Sequence, residues 1–222
     1  MQTLVSIQIG KPRDMEAEPA LRFSAKPWRS AIFKTPITGV VTVGSEGLRG
    51  DGQADLENHG GQDKAICVYP IEHLPFWQDR LDRSDFGLGA FGENFSVAGA
   101  NESSVAIGDQ WQIGTAIFEV SQPRQPCWKL ARRWQTRSLT AQAINTGKTG
   151  WYLRVIQTGE VGCDAPIAVT SVTTSEQARF SIAQANYLFY QKQPDIKMIR
   201  QLLEVPQLSK AWRFELQRRL DS

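Results

Sequence analysis

From residue 3 to about residue 172 the sequence breaks into short runs rich in β-branched and aromatic residues, punctuated by glycine and proline. TLVSIQIG (3–10), ITGVVTVG (37–44), AICVYP (65–70), ENFSV (93–97) and VAIGDQWQIG (105–114) each suit a pleated, half-buried strand. So do TAIFEVS (115–121), WYLRVIQTG (151–159) and PIAVTSV (166–172). Strands this dense predict a mainly β fold, closed or nearly closed into a barrel, and not an alternating βαβ sheet. In the first run Val5, Ile7 and Ile9 fall on one face at a period of two. Helices are expected at 71–86, with Pro75 near the first turn, and within 127–145, where Leu130, Trp134 and Leu139 are amphipathically placed.

Beyond residue 172 the period changes. SIAQANYLFYQ, DIKMIRQLL and SKAWRFELQRRL predict three short helices, with Asp195 and Ser209 as N-caps. Ile196, Ile199, Leu202 and Leu203 form one apolar stripe, and Trp212, Leu216 and Leu220 another. The expected division is a barrel domain, 1–172, and a three-helix appendage, 173–222. Lys210, Arg213, Arg218 and Arg219 make the last helix basic. A solvated face is the plainer reading, and a nucleic-acid or partner contact stays open.

With 25 basic and 23 acidic residues the net charge of +2 is too balanced to argue for a nucleic-acid or membrane protein. No window approaches the roughly 18–20 apolar residues of a membrane span. MQTLVSIQIGKPRD lacks the basic-then-apolar order of a secretion signal. Cys67, Cys127 and Cys163 are widely spaced and odd in number, with no CxxC pair, which disfavours a disulfide framework or a zinc site. A cytoplasmic location is expected.

GLGAFG (87–92) and TGKT (146–149) imitate nucleotide-binding motifs. The first is followed by a strand where a dinucleotide fingerprint needs a helix. The second has Gln142 where a P-loop needs its first glycine.

Three polar clusters remain. In NHGGQDK (58–64), Gly60 and Gly61 let the backbone approach a ligand, and Lys64 with nearby N–H groups could hold an anion; a β-turn capped by His59 is the plain alternative. In FGENFSV, Asn94 offers an amide at a strand's start, though alone it is a weak signal and a turn is the plainer explanation. In SQPRQPCWKL, Pro123 and Pro126 stiffen the turn, while Arg124 and Lys129 favour a thiolate at Cys127. Such a thiolate suits a metal ligand or a nucleophile. Pairing it with His59 as a hydrolase lacks an oxyanion motif. Cys67 reads as core and Cys163 as incidental.

The ordered run GLRGDGQADLENHGGQDKAICVYPIEH, FGENFSV, IGDQW, SQPRQPCWKL and TGKTGWYLRV resembles the MOSC domain family, named for the C-terminal domain of molybdenum cofactor sulfurase. It looks closest to bacterial stand-alone members that confer resistance to 6-N-hydroxylaminopurine and carry a three-helix appendage. The resemblance spans roughly residues 3–170. It implies a β-barrel that binds the molybdenum cofactor (molybdopterin), with Cys127 as the metal ligand. Ser30, Lys34, Asn58, His59, Gly60, Gly61, Lys64, Asn94 and Arg124 are the candidate cofactor-binding residues. The implied activity is reduction of N-hydroxylated compounds to amines, as in the related mitochondrial amidoxime-reducing enzymes, with His59 as a candidate proton donor. No flavin, haem or iron–sulfur motif is present in the sequence. The partners expected are therefore a separate flavoprotein or iron–sulfur reductase, small N-hydroxylated substrates and a second copy of the chain in a homodimer. A sulfur or cofactor carrier, using a persulfide or thiolate at Cys127, is the competing reading.

Overall fold

The computed structural model describes residues 1–17, 26–55, 60–170 and 179–221. The chain opens with β1 (Thr3–Ile9), followed by the paired β2 (Arg13–Met15) and β3 (Trp28–Ser30), then β4 (Thr35–Pro36). A hairpin of β5 (Val40–Gly44) and β6 (Gly47–Leu48) precedes β7 (Ile66–Pro70), helix α1 (Leu74–Leu81) and β8 (Phe95–Ala98). Next come β9 (Gln110–Ile113) and β10 (Ala116–Pro123), then helices α2 (Trp128–Arg133) and α3 (Leu139–Thr146). Strands β11 (Trp151–Gln157), β12 (Gly159–Gly162) and β13 (Ala165–Thr170) follow, then α4 (Ile182–Tyr190), α5 (Ile196–Glu204) and α6 (Lys210–Leu220).

Seven strands close a barrel in the order β13–β9–β10–β11–β7–β8–β1, with β1 returning to pair with β13. All neighbours are antiparallel except β7 and β8. A parallel pair needs a crossover, and α1 lies in it. Closure leaves the seven strands without an open sheet edge, the reason so many short strands are stable together. The interior is filled by Leu4, Ile7, Val68, Phe95, Trp111, Phe118, Trp151 and Leu153, all fully buried.

The expected barrel stands, with local differences. Val5 does not share a face with Ile7: the β1–β8 register shifts between Leu4 and Ser6, so Leu4 and Ile7 both turn inward. The run 105–114 is a strand only from Gln110, because Asp109 accepts the Ala106 N–H at 2.9 Å and Gly108 takes φ 89°. Strand 151–159 ends at Gln157, and Gly159 begins β12, which pairs with β5. The amphipathic stretch 127–145 is two helices, broken where Gln135 adopts φ 51°.

All three C-terminal helices are present, with Asp195 and Ser209 capping as expected. Their stripes are narrower than the sequence suggests: Ile199, Leu202, Trp212 and Leu216 are buried, whereas Ile196 is exposed. The 172/173 boundary lies outside the described residues, as do Asn58 and His59. Phe180, Ile182 and Trp212 join the same hydrophobic cluster as the barrel interior. A second cluster, with Tyr69, Trp77, Phe86, Phe91, Leu130 and Leu139, fastens α1, α2 and α3 to the barrel. No helix among the described residues is long and apolar enough to cross a membrane.

Candidate functional site

Six of the residues singled out from the sequence, Ser30, Lys34, Lys64, Asn94, Arg124 and Cys127, line one cavity. They come from separate elements. Ser30 ends β3, Lys34 follows it, Lys64 closes a single 3₁₀ turn, Asn94 precedes β8, Arg124 follows β10, and Cys127 is the N-cap of α2. Gly60 and Gly61 lead into the Lys64 turn without lining the cavity, and Gly61 uses its permitted φ of 85°.

Two of the six are committed to holding the walls. Asn94 Oδ1 accepts the Cys67 N–H at 3.1 Å, and its Nδ2 donates to the Gln8 carbonyl at 3.2 Å and to Asp51 Oδ2 at 2.8 Å. Asp51 Oδ1 accepts the Gly10 N–H at 2.8 Å and also the Lys34 ammonium. With side chains only 7% and 9% exposed, Lys34 and Asp51 neutralise one another. Asn94 and Lys34 are thus ties between loops, whereas the sequence suggested direct contacts with a ligand. Asp51, which joins them, lies in GLRGDGQ, and nothing in that stretch marked it beforehand.

Arg124 stands apart. It is 6% exposed, its backbone N–H donates to the Gly150 carbonyl at 3.0 Å, and its guanidinium lies 5.5 Å from the centre of the Phe91 ring. Its Nη1 is buried with no hydrogen-bond partner among the described residues. Burial disfavours the cation, but Cys67, Tyr152, Cys127 and Glu93 together outweigh it and raise its pKa. Burial pushes the Cys67 thiol up, against the pull of Arg124. Burial likewise holds the Tyr152 phenol, hydrogen-bonded to Cys67, in its neutral form. Both Cys67 and Tyr152 line the cavity and were missed. β7 is buried along its whole length, so alternation cannot separate the cavity side from the core side there.

Cys127 is half-buried, and its carbonyl accepts the Thr140 hydroxyl at 3.0 Å. Beside it Lys129 is buried, with Nζ 3.9 Å from Asp55, another cavity residue. Lys64 has its pKa lowered by burial, with Asp55 and Asp63 opposing. Arg133 on α2 donates through Nη1 to the carbonyls of Ile32 (2.5 Å) and Gly89 (2.6 Å). Burial brings its pKa down to about 10.

The two imitation motifs are structural, as expected. Glu93 accepts the N–H groups of Gly89 (2.7 Å) and Phe91 (3.0 Å), so the GLGAFG amides are taken internally. Gly147 caps α3 at φ 69°, and a side chain at Gly150 would meet the Val68 carbonyl at 2.3 Å. Glu102, bound to His73 at 2.7 Å, accepts the Gly150 N–H at 2.8 Å and so holds the residue whose carbonyl accepts the Arg124 N–H.

The donor set fits a molybdenum cofactor: a thiol for a soft metal, and a buried guanidinium lacking an anion at one nitrogen. The MOSC domain model matches residues 55–168, and a YiiM-like 3-alpha helix domain matches residues 181–222. The uncharacterized protein YflK of Bacillus subtilis is 38% identical over 99% of this chain and 95% of its own. A protein named Reductase from Gibberella moniliformis is 35% identical over 60% of this chain but only 24% of its own length. The crystal structure of YiiM from Geobacillus stearothermophilus superposes with a TM-score of 0.81, at 37% identity, over 99% of this chain and 100% of that one. The closed barrel, the cavity at its strand ends and these matches together place the chain in the MOSC domain family, with a YiiM-like three-helix domain at its C-terminus.

Proposed function

We propose that the chain is a molybdenum-cofactor-dependent reductase of N-hydroxylated compounds, such as 6-N-hydroxylaminopurine and related base analogues, fed by a separate electron-donating reductase. The observation that carries this reading is the buried Arg124 guanidinium, with Nη1 unpartnered among the described residues, in the same cavity as the Cys127 thiol. A buried charged donor without a partner is costly, so a bound anion is its natural complement. A relative named as a reductase supports the reaction class.

When bound, the cofactor would supply a soft redox centre that carries the two electrons of N–O cleavage. Cys127 would be its protein ligand. Arg124 would grip an anionic part of the cofactor, with Lys64 and Lys129 adding positive charge along the same wall. Ser30 Oγ accepts the Ile32 N–H at 3.1 Å, which leaves its own O–H to donate. His59 lies in the segment between Asp55 and Lys64, both cavity residues, and is the proposed proton donor. The balance is an N-hydroxylamine plus two electrons and two protons giving an amine and water, with a flavoprotein or iron–sulfur protein as the electron source.

Protein made in a host that synthesises the cofactor should convert 6-N-hydroxylaminopurine to adenine with a reduced viologen dye, and Cys127→Ser should not. Metal-loaded protein that leaves the hydroxylamine intact would defeat this reading in favour of a sulfur or cofactor carrier.

A further inference from the structure

Among the described residues, the C-terminal helices bond to the loop that carries Lys64. We infer that they fix the turn carrying Lys64, and that Asp63 is the positioning residue through which they do so; the inference rests on this cavity being the functional one.

Gly61 gives the turn no side chain, and even a Cβ there would meet none of the described residues within 4 Å. Packing therefore cannot hold that point of the loop, and hydrogen bonds at Asp63 do. Asp63 Oδ1 accepts from Arg154 Nε at 2.9 Å, and Oδ2 accepts the Lys210 N–H, the first of α6, at 3.0 Å. The Asp63 carbonyl accepts the Ser121 hydroxyl at 2.5 Å. Arg154 also donates to Glu119 Oε1 and to the Gln207 carbonyl, both at 2.8 Å. The Ser209 N–H meets the Ser121 carbonyl at 3.0 Å. The turn between α5 and α6 is thereby stitched to β10, β11 and the residue next to Lys64. A carboxylate at a helix N-terminus is favourable in its own right, and Ser209 caps the same end by accepting the Trp212 N–H at 3.2 Å. The Arg154 and Asp63 side chains are only 19% and 27% exposed, so solvent competes weakly for the pair.

Two variants of the full chain test this. Asp63→Ala removes both carboxylate contacts, to Arg154 and to the Lys210 N–H, and leaves the Asp63 carbonyl and the Ser209–Ser121 bond in place. Lys210→Pro removes a single N–H at the first position of α6, where proline is well tolerated; Ser209, at φ −58° and ψ 152°, already has the extended conformation that a following proline requires. The readouts are hydrogen exchange at the Lys64 amide, which donates to the Gly61 carbonyl at 3.0 Å, and calorimetric affinity for inorganic pyrophosphate as a probe of the cavity's cations. Both variants should exchange the Lys64 amide about tenfold faster and bind pyrophosphate about tenfold more weakly, with exchange at Val120 and Leu153 unchanged. Wild-type exchange at Lys64 overturns the proposal. So does a loosened loop with wild-type pyrophosphate affinity, equal acceleration at Val120 and Leu153, or a wild type that binds no pyrophosphate. None of these readouts uses redox chemistry. A protein showing the expected pattern but reducing no N-hydroxylated compound would defeat the functional reading and leave the clamp standing.

Discussion

Arg124 is held by its backbone and by the Phe91 face, yet one buried guanidinium nitrogen has no partner among the described residues. Its planar fork is what a lysine cannot reproduce. Arg124→Lys should therefore reduce the molybdenum content of purified protein about tenfold or more, the effect of losing one charge-assisted hydrogen bond of ~1.5–3 kcal/mol. Elemental analysis at the wild-type level would show that Nη1 is not the contact. The stiff SQPRQPC turn made Arg124 and Cys127 legible in the sequence, because prolines and cations leave a local trace. Cys67 left none, since β7 is buried along its whole length, and Tyr152 left none because Trp151, Tyr152 and Leu153 are buried in succession. The same burial has an alkaline signature. Burial raises the pKa of Tyr69 and Tyr152, and that of Tyr190 to about 12, from an ordinary value of 10.0. A raised phenol pKa gives stability that is fully present below about pH 10 and is lost as the pH climbs through the folded value. Denaturant midpoints should fall above pH 10, and phenolate absorbance should rise together with unfolding. Ordinary early ionisation of these three phenols in the folded chain would contradict this.

At the scale of elements, the glycine motif preceding β8 acts as a brace for the cavity wall. Gly92, at φ 74°, leaves no room for a side chain: a Cβ would lie 2.6 Å from Ile32 Cγ1. Glu93 collects the Gly89 and Phe91 amides and the Ser96 hydroxyl at 2.9 Å. Glu93→Gln keeps the shape but turns one acceptor into a donor. It should cost about 1–3 kcal/mol in urea unfolding by stranding a buried N–H. Gly92→Ala should cost about 2 kcal/mol from left-handed backbone and contact with Ile32 together. Wild-type stability in both would mean that the wall is held elsewhere. Composition placed these strands and helices correctly but not their ends. The ends depend on single events, the extra residue Val5, Asp109 capping its own turn, and Gln135 at φ 51°, which periodicity averages away.

At the scale of the molecule, sequence periodicity separates a barrel from three helices, yet their apolar residues form one cluster. The backbone continues the join: Ile107 N–H donates to the Phe180 carbonyl and Ile182 N–H to the Val105 carbonyl, both at 2.9 Å. Urea unfolding followed by tryptophan fluorescence and by far-ultraviolet dichroism should therefore give one coincident transition. Two separated transitions would show that the appendage folds alone. Barrel closure and the three helices could be read from the sequence, whereas the joint core could not, because it depends on contacts between distant segments. The same long-range folding brings Ser30, Lys64, Arg124 and Cys127 around one cavity. Molybdenum X-ray absorption on protein from a cofactor-competent host tests most directly that this cavity holds the metal. The wild type should carry near-stoichiometric molybdenum with one more sulfur scatterer than Cys127→Ser; an identical sulfur count in the two proteins, or no molybdenum in the wild type, would contradict it.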